Sequence, residues 1–381
     1  MPTGEPRREL SPGEELCVTT TVIAHGGHVI AHAEGRTLLV RHALPGETVR
    51  VKVTDVSRRV VRADAVEVLE PAEGRVEPPC RWSGPGGCGG CDFQHVELSL
   101  QRRLKSEVLT DALMRFGGIS AEEAAGLSPE VKELEGFPEG LRWMRRVRWA
   151  RDKDGAVGLR RHRSHDVIEV DHCLLAREDI DHPGAVRAGH DHHVVRDREW
   201  RVGGFWQVHA TLPEALVAAV LDLGRPQPGE RWWDLFAGAG LFAAFLAEAV
   251  GTHGSVVAVE SSGDSVRSGR RSLGDLPQVR FQEAAVAEWI VADDHEAPDG
   301  MVIDPPRSGA GEALMAELTQ AGIPRMVYVA CDPVALGRDV RVARSHGYAL
   351  TAIRAFDAFP MTHHFETVAL LERDAVQPLM T

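Results

Sequence analysis

The first seventy residues alternate apolar and polar positions in short runs separated by turns. Five runs follow one another at residues 16–23, 28–33, 37–41, 47–56 and 60–69. A period of two is typical of strands that bury one face. Five short strands in such a compact stretch predict a small barrel of the OB-like kind. Barrels of this kind often bind nucleic acid, although the barrel alone does not establish it.

The hydrophobic pattern changes after the barrel. Residues 97–116 have the spacing of an amphipathic helix, and strand-like segments follow at 145–151, 156–160 and 166–170. From residue 214 onward, helices and strands alternate as in a doubly wound α/β domain. The pattern predicts three domains: a barrel over 1–72, a small β-rich domain over 73–205 and an α/β domain over 206–381. The helix at 97–116 is a candidate to pack on the last of these.

Composition limits the class of protein. The chain has 381 residues, 43% of them hydrophobic, and no apolar run of the length that a membrane helix needs. The N-terminus lacks the apolar core of a signal peptide, so we expect a cytoplasmic protein. The net charge of −13 argues weakly against a nucleic-acid partner. However, arginines cluster at 58–62, 142–151 and 160–163, which predicts a surface for a polyanion. Nothing indicates more than a monomer.

Four of the six cysteines have the spacing of a metal site. Cys80, Cys88 and Cys91 flank a glycine-rich loop, and Cys173 follows at a distance. In a cytoplasmic chain, clustered cysteines indicate metal rather than disulfides. Four thiolates hold either zinc or an iron–sulfur cluster. We predict a [4Fe–4S] cluster, with zinc as the alternative.

A nucleotide-type site is predicted in the α/β domain. A strand runs into a glycine turn at Gly238 and Gly240, which lets the backbone approach a ligand closely. The next strand ends in Glu260, where an acid typically binds ribose hydroxyls. Asp234 precedes the glycines, and Asp304 ends a later strand. This set of carboxylates favours S-adenosylmethionine, a cation with an adenosine end, although the glycine turn leaves a nicotinamide dinucleotide open.

A reactive cysteine is predicted near the C-terminus. Cys331 stands between an apolar strand at 326–330 and a helix at 334–346, for which Asp332 is a suitable N-cap. Unpaired amides at a helix N-terminus favour a thiolate over a thiol. Glu366 begins a final strand after Phe365.

Several of these stretches together resemble the S-adenosylmethionine-dependent RNA (uracil-5-)-methyltransferases of the tRNA and 23S ribosomal RNA type. The similarity covers almost the whole chain and is closest to the ribosomal branch, which carries a TRAM barrel and a cysteine-ligated [4Fe–4S] cluster. The matching stretches are Cys88-Gly-Gly-Cys91 with Gln94-His95, Gly204-Phe-Trp-Gln-Val208, Asp234-Leu-Phe-Ala-Gly238, Asp304-Pro-Pro-Arg-Ser-Gly309, Tyr328-Val-Ala-Cys-Asp-Pro333 and Phe359-Pro-Met-Thr-His-His-Phe-Glu366.

The resemblance implies a fold, a reaction and a set of residues. The fold would be a class I methyltransferase domain, Rossmann-like and doubly wound. Cys331 would add to C6 of a uracil, and Glu366 would remove the C5 proton after the methyl group is transferred. The target base must leave its stack, and Phe205 or Trp206 could stack on it, unless they belong to the core. The residues that would line the methyl-donor site are Gln207, Phe236, Gly238, Glu260 and Asp304.

The resemblance implies that the substrate is RNA. The barrel and the cluster favour ribosomal RNA over transfer RNA, by analogy alone. Three positions depart from the family pattern: Leu241 and His209 stand where asparagine is usual, and Ala285 where a polar residue is expected. They leave open an RNA-binding protein whose cofactor site has decayed. A nicotinamide-dependent iron–sulfur enzyme is the remaining alternative, but it has no use for Cys331 and Glu366.

Overall fold

The computed structural model of the chain describes residues 9–183, 191–203, 205–292 and 295–373. Gly204, part of one sequence motif, lies outside the described residues. The strands are β1 (Glu15–Ala24), β2 (His28–Ala33), β3 (Arg36–Arg41), β4 (Thr48–Val56), β5 (Val61–Glu70), β6 (Val131–Lys132), β7 (Ala150–Arg151), β8 (Val157–Arg160), β9 (Val167–Glu169), β10 (Asp191–Val195), β11 (Arg198–Val202), β12 (Arg231–Leu235), β13 (Ser255–Glu260), β14 (Val279–Glu283), β15 (Gly300–Ile303), β16 (Arg325–Ala330), β17 (Tyr348–Phe356) and β18 (Glu366–Arg373).

The helices are α1 (Leu98–Gly117), α2 (Ala121–Leu127), α3 (Leu212–Gly224), α4 (Leu241–Val250), α5 (Gly263–Ser272), α6 (Val286–Ile290), α7 (Glu312–Gln320) and α8 (Pro333–Ser345). The chain forms two compact units. The first contains Met1–Val108, Phe137–Val186 and Phe359–His364, and the second contains Leu109–Gly136, Arg187–Ala358 and Phe365–Thr381. The division of the chain into three consecutive domains, with boundaries after residues 72 and 205, stays a prediction.

A closed barrel begins the first unit, with strand order β1-β2-β3-β5-β4. Strands β3 and β5 run parallel, and the other neighbouring pairs are antiparallel. The alternating apolar residues meet inside, where for example Val49, Val51 and Val53 are almost fully buried. Burial of one side chain in two therefore produces the period seen in the sequence. The predicted barrel is confirmed.

A small three-stranded sheet, β7-β8-β9, follows in the same unit. The first of its strands is shorter than the predicted run over 145–151. Just before this run the backbone pairs with another segment: the Met144 amide donates to the carbonyl of Leu175, and the Arg177 amide donates to the carbonyl of Met144.

An eight-stranded sheet forms the centre of the second unit, in the order β14-β13-β12-β15-β16-β18-β17-β6. The strands from β14 to β16 are parallel, whereas β18 is antiparallel to both neighbours. Continuous apolar runs such as Gly300–Ile303 are buried along their length, as expected for strands covered on both faces. The order reverses between β12 and β15, which is where open α/β sheets bind ligands. The predicted doubly wound α/β fold is confirmed.

The hairpin of β10 and β11 belongs to this second unit. Trp200 on β11 is fully buried, and its indole N–H donates to the carbonyl of Ala239 at 3.2 Å. Arg198 forms ion pairs with Glu248 of α4 and Asp275. The hairpin is thereby fixed against the turn between β12 and α4, one wall of the predicted nucleotide site.

Candidate active site

Cys331 and Glu366 each adjoin one residue of a pair formed by two adjacent antiparallel strands. Ala330 at the end of β16 pairs with Thr367 of β18, and the Thr367 hydroxyl donates to the Ala330 carbonyl at 3.0 Å. Cys331 is the next residue along one strand, and Glu366 is the preceding residue on the other. The antiparallel pairing thus brings the two candidate catalytic residues to the same edge of the sheet.

The helix after Cys331 begins as predicted. Asp332 caps α8, and its carboxylate accepts hydrogen bonds from the amides of Val334 at 3.0 Å and Ala335 at 2.8 Å. Pro333 occupies the first turn, where its missing N–H costs nothing. The cap therefore fixes Cys331 in the short connection between β16 and α8.

The predicted preference for a thiolate is wrong for the substrate-free protein. Burial and the negative charges of Glu366, Asp304 and Asp332 raise the pKa of the Cys331 thiol to about 12, and only Arg307 opposes them. The helix N-terminus is outweighed because Cys331 is half-buried beside several carboxylates. The resting side chain is therefore a thiol at neutral pH.

Glu366 is buried at the start of β18. Its side chain is 6% exposed, and it follows the buried Phe365. Burial and the charge of Asp304 raise the pKa of Glu366 well above its ordinary value, with Arg307 again opposing. A carboxylate desolvated in this way binds a proton more strongly than one in water. Its surroundings therefore suit a general base.

Sequence reasoning missed Arg307 as a member of this group. The residue lies on the loop after β15, three positions beyond Asp304, and its charge lowers the pKa of both Cys331 and Glu366. The Asp-Pro-Pro-Arg motif could have indicated Arg307, since it places a cation next to the carboxyl end of a central strand.

The loop that carries Arg307 is held by a buried aspartate. Asp339 of α8 accepts hydrogen bonds from the Tyr328 hydroxyl at 2.5 Å and from the amides of Ala310 at 2.7 Å and Gly311 at 3.2 Å. A side chain at position 309 would collide with the Asp339 carboxylate, which explains the glycine there. Tyr328 and Asp339 were not singled out from the sequence because their roles depend on this contact.

Asp234 lies inside the second unit at the end of β12. One carboxylate oxygen accepts a hydrogen bond from the Ala243 amide of α4 at 2.8 Å. The other, Oδ1, has no hydrogen-bond partner among the described residues. Burial and the charges of Asp304 and Glu260 raise the pKa of Asp234 to about 7. Asp234, Glu260 and Asp304 therefore form one acidic group at the carboxyl ends of neighbouring strands.

Glu260 closes the glycine turn. Its carboxylate accepts hydrogen bonds from the Gly238 amide at 2.9 Å and the Ser262 amide at 2.6 Å. Phe236 precedes this turn with a φ of 63°, a left-handed conformation that is rare for an aromatic residue. Strained backbone of this kind is concentrated at functional sites. The predicted donor-site residues Phe236, Gly238 and Glu260 thus lie in one short, tightly held region.

Asp304 lies at the end of β15, next to β12. Its amide donates to the carbonyl of Leu235 at 3.2 Å, and burial raises the pKa of its carboxyl group to about 7. Since its charge acts on Asp234, Cys331 and Glu366, Asp304 links the predicted donor site to the candidate catalytic pair.

The connection between β11 and α3 contains the other predicted contacts. Gln207 is half-buried, and no hydrogen bond within the described part of the chain ties it to the other candidates. Trp206 is 7% exposed and stacks on His193 at a ring separation of 4.6 Å, so it belongs to the core. Phe205 is 63% exposed, so it is the aromatic of the pair that is accessible to a base. His209 is buried and accepts a hydrogen bond from the Thr211 amide at 3.3 Å.

Two further departures from the family pattern lie at helix starts. Leu241 is the first residue of α4 and is 8% exposed. Ala285 is the N-cap of α6 and makes no side-chain hydrogen bond there. Both positions therefore offer apolar surface where a polar side chain was expected.

The four predicted metal-ligating cysteines meet in the first unit. Cys80, Cys88, Cys91 and Cys173 line one cavity of about 450 Å³. The loop between them is tightly folded: a side chain at Gly89 would lie 2.4 Å from the backbone nitrogen of His162. The spacing predicted that the four cysteines converge, and the structure places them around this one cavity.

The surroundings of the thiols suit a positively charged inorganic group. Burial and the mutual repulsion of their thiolates raise the pKa of Cys88, Cys91 and Cys173. N–H donors point at two sulfurs, from the Gly90 amide to Cys88 at 3.4 Å and from the Gln94 side chain to Cys91 at 3.1 Å. Yet no group of three or more His, Cys, Asp or Glu side chains among the described residues is arranged to hold a metal ion.

A second cavity in the first unit is rich in arginine. It measures about 490 Å³ and is bordered by barrel residues, the cysteine loop and the turn at 161–164. Arg41 and Arg62 lie on the barrel side, and Arg161 and Arg163 on the other. Asp92 neutralises Arg41 and Asp55 pairs with Arg62, whereas no described carboxylate forms an ion pair with Arg161 or Arg163. No described helix is long and apolar enough to cross a membrane.

Family models match both ends of the chain. The TRAM domain matches residues 9–66, and the tRNA (Uracil-5-)-methyltransferase model matches residues 287–374. An uncharacterised RNA methyltransferase of Streptomyces coelicolor is 39% identical over 94% of this chain and 93% of its own length. The 23S rRNA (uracil(1939)-C(5))-methyltransferase RlmD of Alkalilimnicola ehrlichii is 32% identical over 97% of this chain and 99% of its own.

A solved structure has a similar fold over nearly its full length. It is the tRNA (uracil-54, C5)-methyltransferase of Pyrococcus abyssi in complex with S-adenosyl-L-homocysteine. The TM-score is 0.69, at 20% identity, and the match covers 93% of this chain and 99% of that one. The two relatives named above, both more than 30% identical and matched over nearly the whole chain, are RNA methyltransferases.

Proposed function

Because the chain belongs to the S-adenosylmethionine-dependent RNA (uracil-5-)-methyltransferase family, we propose that it methylates C5 of a uridine in ribosomal RNA, with Cys331 as nucleophile and Glu366 as base. The observation that carries the proposal is the strand pairing that brings these two residues to one edge of the sheet. C5 of uracil is a poor nucleophile, so one group must activate the ring and another must restore it.

The proposed reaction uses the thiol first. Cys331 gives up its proton to solvent and its sulfur bonds to C6, which moves the electron pair of the C5–C6 double bond into an enolate. C5 then bonds to the methyl group of S-adenosylmethionine and the thioether leaves. Glu366 accepts the C5 proton, the C5–C6 double bond re-forms, and the bond from C6 to sulfur breaks. The raised pKa of Glu366 supports the third step, since a stronger base removes a carbon-bound proton faster.

The acidic group around β12, β13 and β15 would hold the methyl donor. S-Adenosylmethionine carries a sulfonium and an ammonium, so the buried Asp234 and Asp304 would meet positive charge. Glu260 would bind the ribose hydroxyls, with Phe236 and Gly238 beside it and Gln207 as a further contact. A cation next to Asp304 would also lower the thiol pKa of Cys331, since it offsets the carboxylate charge that raises it.

The cysteine set would hold a [4Fe–4S] cluster. Zinc requires all sulfurs within about 2.3 Å of one point, whereas each thiolate of a cubane cluster binds a separate iron. Four thiols line one cavity of about 450 Å³, which supports the larger group. The cluster would fix the fold of the first unit. Anaerobically purified protein should be brown and contain about four irons per chain; stoichiometric, colourless zinc would contradict this assignment.

RNA would bind through the arginine-lined cavity of the first unit. Arg161 and Arg163 are exposed, and His28 and His162 stay neutral at pH 7 because burial lowers the pKa of each to about 4. The charge offered to phosphates therefore comes from arginine and persists across physiological pH.

The choice of ribosomal RNA is tested with two transcripts. Purified protein and radiolabelled S-adenosylmethionine are incubated with a transcribed 23S ribosomal RNA fragment or a tRNA, and 5-methyluridine is mapped. We expect label in the ribosomal fragment, as supported by the similarity to enzymes that act on 23S rRNA. Label in tRNA alone would contradict the substrate choice, and label in neither, with no donor binding by calorimetry, would favour the decayed cofactor site.

A further inference from the structure

The segment Phe359–His364 is bound to the cysteine loop, although it leads directly into the strand that begins at Glu366. It belongs to the first compact unit, whereas the chain from Phe365 onward belongs to the second. The Met361 carbonyl accepts hydrogen bonds from the amides of Asp92 and Phe93, each at 3.0 Å. The backbone next to Cys91 therefore holds this segment.

The side chain of Asp92 adds a stronger attachment. Its carboxylate lies 2.6 Å from His363 Nδ1 and accepts a bond from the His363 amide at 3.3 Å. Arg41 completes the group at 3.3 Å, so Asp92 bridges the barrel and the segment. Asp92 is 8% exposed, and hydrogen bonds of a buried carboxylate are about twice as strong as neutral ones.

The surrounding residues leave this group little room to move. Gly27 has a φ of 73°, and a side chain there would lie 3.1 Å from the Cβ atoms of both Asp92 and His363. On the other side, the Gln101 side chain accepts a bond from the Met361 amide at 2.8 Å. Lys105 is almost fully buried and donates to the Phe359 carbonyl at 3.1 Å. The segment is thus fixed at both ends.

We propose that Asp92 is a positioning residue for the reaction, because it ties the loop of Cys91 to the segment that leads into Glu366. Only Phe365 separates His364 from Glu366 in the chain. The conformation of the loop that carries Cys91 therefore affects the position of the Glu366 carboxylate. The connection consists of two short covalent stretches, Cys91–Asp92 and His363–Glu366, joined by the Asp92–His363 contact. The proposal rests on the proposed function, since that function makes Glu366 the base.

Amide hydrogen exchange tests the attachment without any need for activity. In Asp92→Ala, the amides of 361–364 should exchange at least about tenfold faster than in the wild type, because a buried charge-assisted bond is lost. Asp92→Asn keeps an acceptor and should restore part of the protection. Asp171→Asn is the matched control: this aspartate lies two residues before Cys173 but pairs with Arg81. Exchange unchanged in Asp92→Ala would overturn the proposal.

The covalent RNA adduct separates positioning from general damage. A misplaced Glu366 delays proton removal, so Asp92→Ala should lower kcat about ten- to a hundredfold while the adduct that resists SDS accumulates. Loss of turnover without adduct would indicate structural damage and overturn the positioning role. Where Asp92→Ala fails to fold, His363→Ala removes the same contact from the other side. If the wild type itself does not methylate uridine, the proposed function has failed, and the exchange result still decides the attachment.

Discussion

The charge of Glu366 raises the pKa of Cys331, and the pairing of β16 with β18 brings the two residues to the same edge of the sheet. The nucleophile and the base of one reaction are therefore coupled electrostatically: a negative Glu366 disfavours the thiolate, and a thiolate disfavours a negative Glu366. Arg307 acts on both in the opposite direction. We therefore expect a single charge state of the pair to be reactive. The fraction of molecules in that state should depend on Arg307 and on the bound donor.

Replacement of Cys331 by alanine should abolish methylation and the covalent RNA adduct together. No other described side chain at this edge offers a sulfur, and without addition at C6 the ring carbon does not attack the methyl group. Cys17→Ala is the control, because Cys17 is an exposed cysteine on β1. Label transfer and gel mobility of the RNA adduct measure both effects. Turnover by Cys331→Ala at the wild-type rate would exclude the nucleophile.

Replacement of Glu366 by glutamine should separate methyl transfer from product release. The thiol and the donor site remain, so the adduct forms, but the C5 proton lacks an acceptor and turnover falls about a hundred- to ten-thousandfold. Trapped adduct that contains the labelled methyl group is the expected product. A variant with neither adduct nor turnover would assign Glu366 to an earlier step.

The removal of Arg307 should shift the pH dependence of the reaction upward. The arginine lowers the pKa of both Cys331 and Glu366, so Arg307→Met raises both values and delays their ionisation to higher pH. The acidic limb of the kcat profile should therefore move to higher pH. Arg338→Met is the control, since this exposed arginine on α8 acts on Asp339 instead. An unchanged limb would show that neither group limits the reaction on the acid side.

The strand and turn pattern predicted much of this architecture. Three apolar runs each lead to a polar residue at the same sheet edge; they end at Ala330, Glu260 and Ile303. The resemblance to RNA (uracil-5-)-methyltransferases is confirmed by the similarity to known proteins. The thiol pKa was predicted in the wrong direction because it depends on charges that are distant in sequence. The attachment of Met361 to Asp92 was likewise invisible, since no local pattern records a contact across so many residues.

Asp234 should make the stability of the protein depend on pH. Its folded pKa is about 7, against an ordinary value of 3.8, because it is fully buried. The folded state therefore binds more protons than the unfolded chain between these values, and the free energy of unfolding falls as pH rises from about 4 to 7. The loss attributable to this group is on the order of 4 kcal/mol.

Asp234→Asn removes the titrating group but keeps an acceptor for the Ala243 amide. Urea unfolding of the donor-free protein at several pH values should therefore show a flatter decline for this variant than for the wild type. Saturating S-adenosylmethionine should flatten the wild-type decline as well, because its positive charge favours the ionised carboxylate. Equal slopes for wild type and Asp234→Asn would mean that Asp304 or Glu366, whose pKa values are also raised, accounts for the dependence instead.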